Sequence, residues 1–359
     1  MLTIRTDLTA DTVRLAAPGT SQLAAVISQL VWPNRRVFWR PGAAVLLPLN
    51  RWREAAAGVP LIRFPNNSVL LATNTGQLST AARDELLRLQ PPGLGVNGQP
   101  LPAQVFLVGN ISSAVQQQVR ALGFTTTRVR GANSLATAAA AAREIARIRP
   151  NPPTLLVPYN NAIDSQPAVA LAAHGGAALM FVNFESIPLA TRQALQDIRP
   201  EAVYLLGRDA QISTALRGQV QALLPGTRVL RVGGDTAADY SVNVARFQDF
   251  TSGFGWGRTE ERGDAFTFVA AGNIYQSIYA TTLAHLATHA PEIIIPSQRP
   301  IPEVVRRYII GINPPLFDPP RPPFMRGWII GDRSHISIAQ QIELEDLLIK
   351  EQADWPPPA

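Results

Sequence analysis

Three times along this chain of 359 residues, an apolar strand closes on a glycine and gives way to a polar turn and a helix. The copies read VFLVGNISSAV at Gly109, VYLLGRDAQIS at Gly207 and GWIIGDRSHIS at Gly331. A second motif recurs in step with the first: TRVRGANSLATAAAAAREI from Thr127, VLRVGGDTAADYSVNVARF from Val229, and a worn copy, VRLAAPGTSQLAAVISQL, from Val13. Aligning Ala16, Gly131 and Gly233 superposes the stripes Leu23/Ile27/Leu30, Ala138/Ala142/Ile145 and Tyr240/Val244/Phe247. Their i, i+4, i+7 spacing gives each helix one buried face. A repeated module must bury faces that its neighbours also expose, so the triplication constrains the fold before any single motif does.

Between these landmarks runs one beat of strand and helix. In the second copy the strands are TRVR, TLLVPY, AALMFVN and AVYLLG, with helices starting near Leu135, Gln166, Leu189 and Thr214. The third copy offers FTFVAAG, EIIIP and GWIIG; the first offers RVFWR, VPLIRF and QVFLVG. Strands apolar on both faces, alternating with helix-length segments, predict a parallel sheet covered on both sides. The expected class is therefore α/β, as three Rossmann-like doubly wound modules. Their expected bounds are 12–125, 126–226 and 227–351, followed by a tail over 352–359. Three Pro/Gly-rich insertions, from Leu89, Gln248 and Asn313, read as loops that either brace the modules or carry contacts.

Composition narrows the chemistry. With 46% hydrophobic and 16% charged residues the chain is a folded protein, not a disordered one. It has no cysteine, which removes disulfides and thiolate metal sites. The formal charge is +6, and every basic residue except Lys350 is arginine. Guanidinium forks match phosphate and carboxylate, so a polyanion is one reading; codon bias is the other. Arg35, Arg36, Arg40, Arg51, Arg53 and Arg63 cluster with only Glu54 against them, and Trp32, Trp39 and Trp52 interleave. The tryptophans either stack on a sugar or base or cap the core. No apolar run is long enough to span a bilayer, and MLTIRTDLTADTV lacks the features of a signal peptide.

Catalytic constellations are thin. His285 and His289 sit one helical turn apart, without the glutamate or third ligand of a zinc site. GFGWGR from Gly253 imitates a dinucleotide fingerprint, but no strand feeds it. RVGGDT at Gly233 and Gly234 joins strand to helix, where phosphate can bind, yet lacks the full glycine pattern. Asp332, Ser334 and His335 adjoin in sequence, which is not how triads are assembled. No enzyme activity, no cofactor and no metal are expected.

The ordered units, apolar strand–Gly–turn–IS helix start and R-V-x-R-x-G-x-[ND], resemble the bacterial cell-wall-binding repeat of type 2. Gly131, Asn133, Thr137 and Ala138 match its opening; Asp164 stands at its Asp-Ala-Leu turn, with Gln276 at the third copy and no equivalent in the first. Gly58, Val59 and Pro60, and then Ala290 and Pro291, match the lead into its third strand; Pro188 and Pro302 match its helix starts. The opening arginine of the family is replaced by Gly19, Ser134 and Thr236. The resemblance implies a pseudo-threefold packing of the modules and an anionic polymer of the Gram-positive wall as partner, at the cell wall or surface. Assembly into a homo-oligomer or filament, as a surface or spore-associated structural scaffold, is a further expectation, and nucleic acid is not an expected partner. Arg14, Arg130 and Arg231, each just ahead of the opening position, are expected around the common axis as polymer contacts, with Asn133, Asp164 and Asp235 beside them. The competing expectation is a cytoplasmic nucleotide- or sugar-phosphate-binding protein, or an enzyme, using a cleft at the strand C-termini.

Overall fold

The computed structural model describes residues 9–33, 40–63, 68–95, 98–259, 265–284, 289–312 and 325–349. In chain order the first third holds β1 (Thr12–Leu15), α1 (Thr20–Val31), β2 (Ala44–Pro48), α2 (Trp52–Gly58), β3 (Val69–Thr73), α3 (Thr80–Leu89), β4 (Val105–Val108) and α4 (Ser113–Ala121). The middle holds β5 (Thr126–Val129), α5 (Ser134–Ile148), β6 (Thr154–Pro158), α6 (Ala162–Gly175), β7 (Ala178–Val182), α7 (Leu189–Ile198), β8 (Ala202–Leu206) and α8 (Ala215–Leu223). Then follow β9 (Arg228–Val232), α9 (Ala237–Arg246), a hairpin of β10 (Gln248–Asp249) and β11 (Phe254–Gly255), β12 (Ala265–Ala270), α10 (Ile274–Thr282) and β13 (Glu292–Ile295). The last elements are α11 (Glu303–Gly311), β14 (Arg326–Ile330) and α12 (Ile338–Leu348).

The strands form three four-stranded parallel sheets, ordered β3-β2-β4-β5, β7-β6-β8-β9 and β13-β12-β14-β1. Every residue of β2, β3, β6, β7, β8, β12 and β13 is buried, as strands covered on both faces require. The α/β class with three doubly wound modules is thus the architecture of the molecule. Gly109, Gly207 and Gly331 end β4, β8 and β14, which hold the same place in their sheets.

The fourth strand of each sheet comes from the next copy of the sequence repeat. β5 lies beyond residue 125 yet completes the first sheet, β9 lies beyond 226 yet completes the second, and β1 completes the third. Thr12, Val13, Arg14 and Leu15 pair with Gly327, Trp328, Ile329 and Ile330, so the two ends of the chain meet in one ladder. Helices repeat the scheme: α5 packs on α2, α9 on α6 and α1 on α10. This cyclic set of equivalent contacts is the pseudo-threefold arrangement.

Local chemistry sets the element ends. Ser79, Ser112, Asn133, Asn161, Thr236 and Ser337 cap helices with side-chain acceptors, and Thr236/Asp239 and Ser337/Gln340 complete capping boxes. Several expectations need correction. VPLIRF is not a strand: Val59–Ile62 continues α2 as a tight turn with Pro at its start, and β3 begins ten residues later at Val69. Gly58-Val59-Pro60 therefore does not lead into the third strand. Helix α6 starts at Ala162, before the expected Gln166, because Asn161 caps it and Pro167 is accepted inside. Leu30 is 37% exposed although the stripe placed it inside. RVFWR falls largely, and the tail wholly, outside the described residues.

The insertion after α9 is a brace. Phe254 stacks on Tyr204 with ring centroids 4.6 Å apart, Trp256 stacks on His174 at 4.0 Å, and Arg258 donates to the His289 carbonyl. Asp249 accepts a bidentate pair from Arg228 and the Tyr204 hydroxyl, and the guanidinium holds its carboxyl below the usual range. A second seam is polar and buried: Gln166 donates to Ser277, which donates to Glu292, while Gly272 N donates back to Gln166.

Two predictions follow from these seams. A fragment ending at 226 lacks β9 and α9, leaving the β8 edge and the α6 face bare. It should aggregate, whereas a fragment ending at 258 should stay more soluble; equal solubility and melting of the two would contradict the exchange. Burial pushes the Glu292 carboxyl from 4.5 up to about 8. The folded state then binds a proton that the unfolded state has released, so the contribution of Glu292 to stability falls as pH rises between 4.5 and about 8. The melting temperature of Glu292→Gln relative to the parent should rise across that window and level above it. A pH-independent difference would show that Glu292 titrates normally.

Candidate functional site

In each sheet the chain leaves the first strand toward one side and the third strand toward the other, so the loops after β2 and β4, after β6 and β8, and after β12 and β14 diverge. In open α/β sheets ligands bind at such switch points, outside the strand C-termini. The first switch point is an open cleft of about 520 Å³. Its walls are Asn50 and Arg51 after β2, the first turn of α2 (Trp52–Glu54), Asn110 after β4, the β5–α5 junction (Arg130–Ser134) and Tyr159 from the second module.

Charge in this cleft is one-sided. Arg53 is fixed: its guanidinium lies 4.5 Å from the Trp52 ring and 4.2 Å from the Tyr159 ring, and Nε donates to the Tyr159 carbonyl at 2.6 Å. Arg51 is half-exposed and reaches Glu54 at only 3.5 Å. Arg130 is exposed, with no ion pair among the described residues. The one carboxylate, Glu54, is buried and accepts the Asn110 N–H at 2.7 Å. The Asn133 carboxamide caps α5 through Ala136 N, and the Ser134 hydroxyl meets the Tyr159 hydroxyl at 3.0 Å. Of the six clustered arginines, Arg51 and Arg53 line the cleft, while Arg63 donates to the His174 carbonyl at the end of α6. Arg35, Arg36 and Trp39 lie outside the described residues. Trp32 is core, packed with Leu78 and Leu86.

The switch points share one scaffold. Glu54, Asp164 and Gln276 are each the third residue of α2, α6 and α10. Asp164 Oδ2 accepts Arg208 N at 2.9 Å as Glu54 accepts Asn110 N, so the first copy does have an equivalent of Asp164. Gly109 and Gly331 have positive φ, and a side chain at either would collide with Glu54 or Gln276. Asp164 itself is fully buried, and its Oδ1 accepts Arg208 Nε at 2.6 Å. It holds the turn after β8.

The strand registers correct the arginine trio. Arg14, Arg128 and Arg231 pair with Ile329, Leu107 and Leu205, each the next-to-last residue of β14, β4 and β8. N-caps agree: Gly19, Asn133 and Thr236 begin the equivalent helices, which places Ala17 and Gly234 opposite Gly131. The sequence alignment was one residue out in two copies, and Arg130 is outside the trio. Arg14 is 2% exposed. It donates to the Gly331, Asp332 and Ser337 carbonyls at 3.1, 3.2 and 3.4 Å and to Gln341 at 3.0 Å. Arg128 repeats the clamp on the Ile111 carbonyl and Gln116. In the middle copy Arg217 replaces that glutamine, since ISSAVQ, ISTALR and ISIAQQ align, and Arg231 turns instead to Asp209 at 2.7 Å. Arg14 and Arg231 thus hold equivalent places and Arg130 does not, and of the three Arg14 is buried. Asp235 is exposed in the turn before α9.

The third switch point is smaller, about 270 Å³, and has no arginine in its lining. There Asp332 Oδ1 accepts the Ser334 hydroxyl at 2.5 Å and meets His335 Nδ1 at 2.8 Å. The Ser334 hydroxyl does most to hold the Asp332 carboxyl down to about 2, with the His335 ring adding to it. Of the helical histidine pair, His285 is outside the described residues. Among the described residues no cluster of three metal-ligating side chains occurs, and no helix is long and apolar enough to cross a membrane.

No family model matches the chain. The N-acetylmuramoyl-L-alanine amidase LytC of Bacillus subtilis (strain 168) is 24% identical over 213 residues, covering 59% of this chain and 39% of the relative. Cwp6 from Clostridium difficile superposes with a TM-score of 0.71 at 19% identity, over 93% of this chain and 47% of that one. Cwp8 from Clostridium difficile gives 0.70 at 16% identity, over 95% and 52%. The chain thus spans about half the length of these structures, and less of LytC. The likeness to the two structures is one of fold.

The clamp separates stability from binding. Arg14→Gln should lower stability by about 3 kcal/mol, because buried carbonyls lose their charged donor. Arg130→Gln should leave the melting temperature within about 1 °C, as exposed side chains without partners do. Equal melting temperatures for the two variants would show that Arg14 is not a clamp.

Proposed function

We propose that this chain is a non-catalytic, cell-wall-associated protein that holds an anionic wall polymer at the first switch point. One observation carries the reading: a preformed cleft of about 520 Å³ presents Arg51, Arg53 and Arg130 against a single buried carboxylate. Guanidinium groups are well matched to the phosphate or carboxylate of a glycopolymer. Arg53 needs little ordering on binding, because two aromatic rings and a carbonyl already hold it. The fold likeness to two cell wall proteins supports the location, and the resemblance read in the repeats supports the polymer class. Among the described residues the lining of the cleft holds no histidine, and its one carboxylate, Glu54, is buried on a backbone N–H, which supports a binding role.

Retention on purified Gram-positive walls tests it. Retention should fall as salt rises, because exposed charges are screened beyond roughly 8–10 Å at physiological ionic strength. Arg51→Gln with Arg130→Gln should cut it about tenfold or more at unchanged melting temperature. Walls stripped of phosphodiester and carboxylate polymers should retain nothing. Undiminished retention on stripped walls would overturn the polymer and leave assembly between copies of the chain as the better account.

A further inference from the structure

The second switch point carries an anion of its own. The position of Arg130 in the first cleft is occupied by Gly233 in the second, since Val129 and Val232 pair with Val108 and Leu206 at the ends of equivalent strands. The missing side chain leaves room that Asp209 fills: a Cβ on Gly233 would lie 2.5 Å from Asp209 Oδ1. That oxygen accepts Arg231 Nη2 at 2.7 Å. The Arg231 side chain is 23% exposed and Asp209 is 66% exposed, so the carboxylate covers the guanidinium from the solvent side. Arg231 Nη1 is buried with no hydrogen-bond partner, a donor still directed at nothing. An outside phosphate would meet this guanidinium in the same way; here the carboxylate is supplied by the chain. The third switch point goes the other way, with Ala16 in the place of Arg130 and Asp332 in its lining.

From this we infer that Asp209 is a built-in anion that keeps the second switch point closed, so that the chain takes one external phosphate or carboxylate group, at the first cleft, and not three. The inference rests on the anion reading of the first cleft but not on a wall polymer being the ligand. The fold thus repeats one binding scaffold three times and leaves one copy open, one liganded by itself and one with no arginine in its lining.

Equilibrium dialysis of the full chain with inorganic pyrophosphate at low ionic strength tests this. The parent should bind one equivalent, and Arg51→Gln or Arg130→Gln should each weaken binding about tenfold, the worth of one charge-assisted hydrogen bond. Asp209→Ala should bind two, and Asp209→Ala with Arg231→Gln should return to one. Asp209→Ser gives the same comparison should the alanine variant melt early. Three equivalents on the parent, or one on both Asp209 variants with melting unchanged, would overturn the inference. Wall retention without pyrophosphate binding would also sink it while sparing the proposed function. One-to-one pyrophosphate binding without wall retention would do the reverse.

Discussion

Backbone hydrogen bonds between Thr12–Leu15 and Gly327–Ile330 close this molecule on itself, and the other two sheets are completed by the same exchange. A parallel sheet has no cheap way to end: an open edge leaves N–H and C=O groups unpaired and invites other chains. Here each copy of the repeat lends its first strand to the sheet before it, and the helix after that strand packs on the neighbour's second helix. No sheet of the three can be assembled from one repeat, so stability and cooperativity belong to the ring. The hairpin at Gln248–Gly255 and the Gln166–Ser277–Glu292 seam reinforce the junction of the second and third modules.

Borrowed strands also explain where the conserved-looking arginines of the three copies went. A guanidinium on the penultimate residue of the lent strand faces the turn that closes the host strand, within reach of main-chain carbonyls. Arg14 and Arg128 use that reach fully, each helped by a glutamine one turn into the next helix. In the middle copy the glutamine is Arg217, which cannot accept a hydrogen bond, and Arg231 is redirected to Asp209. One substitution in a helix thus changes the chemistry of a cleft in the adjoining turn. The three sites keep a polar third helix residue and a positive-φ glycine, with Glu54 and Asp164 accepting a backbone N–H there and Gln276 not, while their surfaces diverge. Binding chemistry, carried by a few exposed side chains, can drift in one copy without disturbing the packing of the others.

Repetition, strand apolarity and helix stripes were enough to set the α/β class, the three modules and the place of Gly109, Gly207 and Gly331, because these follow from periodicities of 2 and 3.6 and from glycine's access to positive φ. VPLIRF misled because an apolar run of that length suits a strand or a buried turn alike, and Pro60 decided for the turn. Arg51, Arg53 and Glu54 were visible as a cluster, but Tyr159 and Arg130 join them only across a module seam and a sheet. Which arginines are buried, which strand completes which sheet, and which switch point stays open were left to the tertiary structure. The physical reason is that those outcomes depend on register: Arg128 and Arg130 stand only two residues apart, yet one guanidinium lies on the Ile111 carbonyl and the other is exposed in the cleft, and no local propensity records the difference.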